Sequence, residues 1–248
     1  METVTIRPAD TSVGSAGSSS ASRQSYMSGG AVKLACEAVR SKVAALLSKS
    51  TVELVGGKVL FDGAVVADLA SLLGDAVIEE TMVFRHRPTT PMDPTTGQGN
   101  SHVQLALCVH RAVVDVDVEL GLIKVVELAA VQDVGRIMNR VALEGQIHGG
   151  TAQGLGLALM EEIQITDGKV RNPSFTDYLI PTILDMPPMR LKILENADPH
   201  APYGLRGAGE PPTLSSTPAI VAAIREATGL ALKRVPVRPE HIIEGTSP

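Results

Sequence analysis

Two strand-like runs joined by one tight turn constrain this chain more than any other feature. Residues 102–117 and 122–132 are rich in Val, Leu and Ala, and Val114-Asp115-Val116-Asp117-Val118 alternates strictly between apolar and acidic side chains. Period-two patterning puts successive side chains on opposite faces of a sheet. With Leu120-Gly121 as the turn, the stretch predicts a long antiparallel hairpin. His110 falls inside it and reads as a strand residue with a local partner, and His102 has no second ligand at metal spacing. Asp133-Val134-Gly135-Arg136 ends the strand, and Asn139 can cap a helix after it.

That helix, over residues 141–161, contains Gly145, Gly149, Gly150, Gly154 and Gly156. Each glycine is about 1 kcal/mol less favourable than Ala in a helix interior, so a compensating contact is expected. Gly145 and Gly149, and Gly150 and Gly154, are spaced i, i+4, which aligns small surfaces for another backbone or a flat ligand. Tight helix packing alone would also account for the pattern.

Upstream, Val4-Thr5-Ile6-Arg7 reads as a short strand. Residues 11–28 hold eight serines and two glycines, a composition of flexible linkers. An amphipathic helix follows over residues 31–47, with Val32, Ala35, Val39, Val43 and Leu46 on one face. Hydroxyls and backbone N–H groups gathered before a helix N-terminus also suit an anionic ligand. Gly56-Gly57 joins two short apolar runs, 51–55 and 58–61, as a hairpin. Downstream, a hairpin is expected around Asp167-Gly168, then a strand at 189–195. A last helix has Thr217 as N-cap, Pro218 at its first position and Gly229 just past its end.

The 248 residues suffice for a sizeable core, built of aliphatic residues because aromatics make up only 2%. Net charge is −5 without a basic run, which disfavours nucleic acid. Neither a signal peptide nor a membrane-length apolar run is present, so a cytoplasmic protein is expected. Cys36 and Cys108 are too few and too far apart for a disulfide framework or an iron–sulfur cluster.

One acid stands out. Gly207-Ala208-Gly209 precedes Glu210 and Pro211-Pro212 follows it, so backbone with little side-chain cover runs into a stiffened segment. A carboxylate acting as general base needs such a fixed and approachable place, although a solvated loop Glu is the plainer reading. The stretch Gly204-Leu205-Arg206-Gly207-Ala208-Gly209-Glu210-Pro211-Pro212, with Thr217-Pro218-Ala219-Ile220 after it, resembles the C-terminal signature of the xanthine dehydrogenase / aldehyde oxidase family of molybdenum hydroxylases. Glu144-Gly145-Gln146-Ile147-His148-Gly149-Gly150 and the Gln153-Gly154 that follows resemble the same family's bacterial molybdenum-binding subunits, as does Pro173-Ser174-Phe175-Thr176-Asp177-Tyr178.

The resemblance implies an α+β fold of mixed and antiparallel sheets with packed helices, the C-terminal part of a molybdopterin-binding domain. It covers nearly the whole of residues 1–248, with two interleaved subdomains of about 1–75 and 76–248 as one option. It makes Glu210 the catalytic base and implies cofactor contacts from Ser19, Ala21, Ser22, Arg23, Gln24, Ser25 and Gln153, with no protein ligand to the metal. The implied cofactor is molybdenum–molybdopterin, the cytosine dinucleotide form being one option, with FAD and 2Fe-2S groups only on partner subunits or domains. The implied reaction is oxidative hydroxylation of a purine, hypoxanthine or xanthine to urate, with water as oxygen source. An aldehyde or another N-heteroaromatic is the alternative substrate, and a truncated, non-catalytic fragment the alternative role. The N-terminal portion of the molybdenum subunit is the first expected partner, and neither nucleic acid nor membrane is expected.

Overall fold

The computed structural model describes residues 4–7, 10–13, 15 and 17–246. The chain divides after Pro88 into two compact units, Met1–Pro88 and Thr89–Pro248. In the first, helix α1 (Gln24–Leu46) is followed by strands β1 (Glu53–Val55), β2 (Lys58–Phe61) and β3 (Ala64–Asp68) and the short helix α2 (Leu69–Leu73). The strands form one antiparallel sheet in the order β1-β2-β3. The expected Gly56-Gly57 hairpin is there: both glycines have positive φ, 55° and 77°, and Val55 pairs with Lys58. Two-residue hairpin loops need that backbone to match strand twist. Val43 and Ala44 of α1 pack with Val52 and Val59 as the unit's core.

Two expectations differ in this unit. Residues 4–7 form no strand. Helix α1 starts at Gln24 rather than at Ala31, running straight through Gly29-Gly30. The reason lies at Gly30, where a Cβ would stand 2.5 Å from Cγ of Phe84. The ring of Tyr26 meets Phe84 edge-on at 5.6 Å between centroids. That glycine makes room for an aromatic ring and does not mark a helix start.

The second unit is built on β4 (Leu107–Asp117), β5 (Leu122–Asp133) and β8 (Met189–Leu194), in the order β4-β5-β8. The hairpin is antiparallel and pairs Leu107 with Asp133 and Asp117 with Leu122, while β8 adds parallel to β5. Residues 102–106 lie outside the strand. Burial alternates without a break along β4, as the period-two pattern predicted. Helix α3 (Arg140–Leu159) follows, capped by Asn139, whose side chain accepts from the N–H of Ala142 at 3.0 Å. A small hairpin, β6 (Ile165–Thr166) and β7 (Lys169–Val170), turns at Asp167-Gly168. Helices α4 (Pro211–Thr228) and α5 (Pro239–Thr246) complete the unit. Leu128, Leu155, Ala158, Ile220, Ile224 and Ile242 are the centre of its core.

Helix α4 corrects a third expectation. It begins at Pro211, so Thr217 is not its cap and Pro218 lies inside it. The two prolines after Glu210 suit a first turn, whose N–H groups have no helical partner anyway. The interior Pro218 removes one helix hydrogen bond, and contacts with α3 hold the helix through it. Thr213 and Thr217 donate their hydroxyls to the carbonyls of Gly150 and Gly154, each at 2.9 Å. Gly229 ends α4 in the left-handed conformation, φ 72°, as expected. The architecture is the expected α+β class, and among the described residues no helix is long and apolar enough to cross a membrane.

Candidate active site

Glu210 is exposed and sits at the head of α4, where its side chain makes no capping hydrogen bond to the helix. The chain leading to it is fastened to the end of β5. Arg206 donates its backbone N–H to the carbonyl of Val134 at 2.8 Å, and its guanidinium lies 3.4 Å from the Asp133 carboxylate and 2.9 Å from the Leu105 carbonyl. A Cβ on Gly135 would run into the Gly204 carbonyl, so only glycine lets the two segments approach. Gln104 bridges the same loop, donating to Asp198 at 2.8 Å and to the Leu205 carbonyl at 3.0 Å. Burial, the largest influence on the Asp198 carboxyl, pushes its pKa up. The bonds from Gln104 and the His200 N–H, with the charge of Arg206, outweigh it and hold the group below its ordinary value.

Beyond Glu210 the fastening is to the sheet and α3. Ser215 donates to the carbonyl of Pro211 at 3.0 Å and lies 2.8 Å from Nδ1 of His110. Nε2 of His110 lies 3.0 Å from the hydroxyl of Thr151 on α3, which itself reaches the Ile147 carbonyl at 2.7 Å. Cys108 stands one inward position away, its Sγ 3.7 Å from His110 Nδ1. Burial lowers the His110 pKa and raises that of the Cys108 thiol, the latter opposed by the bond with Ser215. Gln132, opposite Cys108 in the strand register, donates to the carbonyl of Ala208 at 3.1 Å. A polar layer thus lies between sheet and helices beneath the Glu210 loop.

Four of the five glycines of α3 divide into two sets, while a Cβ on Gly156 would run into Glu161 and Pro181. A Cβ on Gly150 would meet the Gly209 carbonyl oxygen at 2.8 Å, and one on Gly154 would overlap the Ser216 hydroxyl. These two let α4 and the Glu210 loop lie directly on α3. A Cβ on Gly145 or Gly149 would meet nothing within 4 Å. Both glycines share a face with Gln153 at i, i+4 spacing, and Gln153 Oε1 lies 3.1 Å from the Thr213 hydroxyl. Glu210 and Gln153 are therefore brought to the same helix pair.

Ser19, Ala21, Ser22, Arg23, Gln24 and Ser25 lie together in the first unit. Ala21 and Ser22 are both left-handed, φ 50° and 54°, a conformation that non-glycine residues seldom adopt. Arg23 folds back on Ser18, donating to its carbonyl at 2.9 Å and its hydroxyl at 2.6 Å. Its side chain makes no capping bond to α1, whose first residues are Gln24 and Ser25. The first turn of α1 thus begins on an exposed, serine-lined strand of backbone. Gln24 binds Ser28 at 2.6 Å.

Sequence reasoning missed Gln104, Gln132, Arg206 and the long-range partners of His110. One signal was available for Gln132, the polar exception in the inward series Leu128, Ala130, Gln132.

Comparison with known proteins gives the family of the chain. A family described as molybdopterin cofactor-binding domain matches residues 1–187. The xanthine dehydrogenase molybdenum-binding subunit of Escherichia coli O157:H7 is 39% identical over 135 residues, 53% of this chain and 18% of that protein. Aldehyde oxidoreductase of Megalodesulfovibrio gigas is 33% identical over 229 residues, 92% of this chain and 23% of that protein. The crystal structure of quinoline 2-oxidoreductase from Pseudomonas putida 86 superposes with a TM-score of 0.76 at 29% identity, covering 92% of this chain and 30% of that one. The chain spans less than a third of the length of each of these proteins.

Proposed function

This chain belongs to the molybdopterin cofactor-binding domain family, and we propose that it serves in a molybdenum hydroxylase, bringing the general base Glu210 to a purine hydroxylated with oxygen from water. The substrate is hypoxanthine or xanthine and the final product urate. The setting of Glu210 carries this reading: an exposed acid at the head of a helix, approached over Gly207-Ala208-Gly209 and fastened on both sides by hydrogen bonds. A carboxylate so placed can take a proton at its oxygens from an incoming group while its backbone stays still, which typically accelerates proton transfer by about 10²–10⁴-fold.

Ser19, Ala21, Ser22, Arg23, Gln24, Ser25 and Gln153 are the residues that would contact the cofactor. The left-handed backbone at Ala21 and Ser22, running into a helix start without a side-chain cap, fits a phosphate-bearing pterin, because such turns present N–H donors to anions. When bound, the molybdenum–pterin group supplies the two-electron redox chemistry. The cytosine dinucleotide form and onward partners carrying 2Fe-2S and FAD belong to the same proposal, as does the remainder of a longer molybdenum subunit.

A second reading, an aldehyde or N-heteroaromatic as substrate, is favoured by one observation. The similarity to aldehyde oxidoreductase runs over 92% of the chain, against 53% for the xanthine dehydrogenase subunit. Turnover of xanthine, quinoline and benzaldehyde by the assembled enzyme in ¹⁸O-labelled water separates the two. One labelled oxygen in urate, formed faster than the other products, is expected. Fast turnover of quinoline or benzaldehyde alone would establish the second reading, and unlabelled product would end both.

A further inference from the structure

We propose that Gln132 is a positioning residue for Glu210, its amide tying the backbone just ahead of the carboxylate and setting where that carboxylate stands. The inference rests on the reading of Glu210 as the base. Gln132 is 1% exposed on the inward face of β5, beside the core residues Leu128 and Ala130. Its Nε2 donates to the Ala208 carbonyl, while its buried Oε1 has no partner among the described residues. A half-satisfied amide in a core opposes folding, whereas an apolar side chain of similar size would pack there without that penalty. Core stability therefore gives no reason for glutamine at this place.

The tether does. Arg206 is anchored to Val134, Asp133 and Leu105, and Pro211 already belongs to α4. Between them Gly207, Ala208 and Gly209 carry no side chain able to reach an anchor. Side chains that reach this stretch include Gln104, accepting from the Gly207 N–H at 3.3 Å, and Gln132, at the carbonyl of Ala208. Gln132 holds the position nearer to the base. On the far side Ser215, backed by His110, holds Pro211. The backbone that bears Glu210 is therefore held between a bond from the sheet and a helix packed on α3. Loss of the sheet-side bond frees the loop without touching any group that contacts substrate.

Gln132→Met in the assembled holoenzyme tests this, since Met keeps length and volume but cannot donate. Misplacement of a reacting group by about 1 Å can lower rate some 10²-fold, so kcat is expected to fall about 10–10²-fold. KM and molybdenum content should stay unchanged, and amide exchange over residues 207–210 should quicken about 10-fold. Wild-type kcat with wild-type exchange would overturn the proposal. So would a fall in kcat accompanied by proportional loss of molybdenum, which marks a merely structural role. Glu210→Gln measured alongside keeps the two claims apart: retained turnover there removes the base, while the exchange rates still report the tether.

Discussion

Ser215 and Thr151 each carry one hydroxyl hydrogen, and each oxygen lies within bonding distance of both a helix carbonyl and a ring nitrogen of His110. A neutral ring has one N–H and one acceptor nitrogen, so it can satisfy one hydroxyl as donor and the other as acceptor. Burial favours that neutral form and lowers the His110 pKa below its ordinary value of 6.5. The unfolded chain then binds the proton more readily than the folded one. The stability due to neutral His110 is complete above the ordinary pKa and is lost as pH falls below it. Urea midpoints measured at pH 7.5 and 5.5 should drop on acidification, and the drop should shrink in His110→Gln. An equal drop in both proteins would contradict the account. In the sequence His110 was legible only as a strand residue, because its partners lie on helices 41 and 105 residues further along. Gln132 was visible as an oddity of pattern, and its purpose was not, since the Ala208 carbonyl is a backbone atom that no side-chain pattern reveals.

Over the first turns of α4, helices α3 and α4 meet through carbonyls, hydroxyls and glycines, and further along Leu155 and Ala158 share an apolar core with Ile220 and Ile224. The glycine spacing announced a close approach, yet it did not separate the glycines that touch α4 from those that face open space. That distinction depends on the true start of α4 at Pro211, hidden by a good apparent cap at Thr217-Pro218. Gly150→Ala should push its methyl into the Gly209 carbonyl and Pro212, destabilising the protein by about 1–3 kcal/mol. Gly149→Ala meets nothing within 4 Å and should gain up to about 1 kcal/mol of helix propensity. Urea unfolding of both variants checks this, and equal midpoints would show that the two positions are alike. The hairpin turns, by contrast, were legible in the sequence, because alternation and turn glycines are local signals, although the first long strand starts five residues later than its apolar run.

The whole chain is two units; of the residues proposed for the cofactor, six belong to the first, near the start of α1, and Gln153 belongs to α3 in the second. That division was not legible in the sequence, where motifs follow one another without distance. The resemblance assigned both groups by family pattern, and the family match itself runs over residues 1–187. The relatives are several times longer than this chain, so cofactor retention is expected to be a property of the larger assembly, and proton transfer a property of one residue. Glu210→Gln in the assembled enzyme separates the two most directly, because the amide keeps the shape of the carboxylate and cannot accept a proton at working pH. Molybdenum content and substrate binding should remain at wild-type levels while kcat falls by about 10²–10⁴-fold. A Glu210→Gln enzyme with full molybdenum and near-normal kcat would contradict the account and leave Glu210 an ordinary surface acid at the head of a helix.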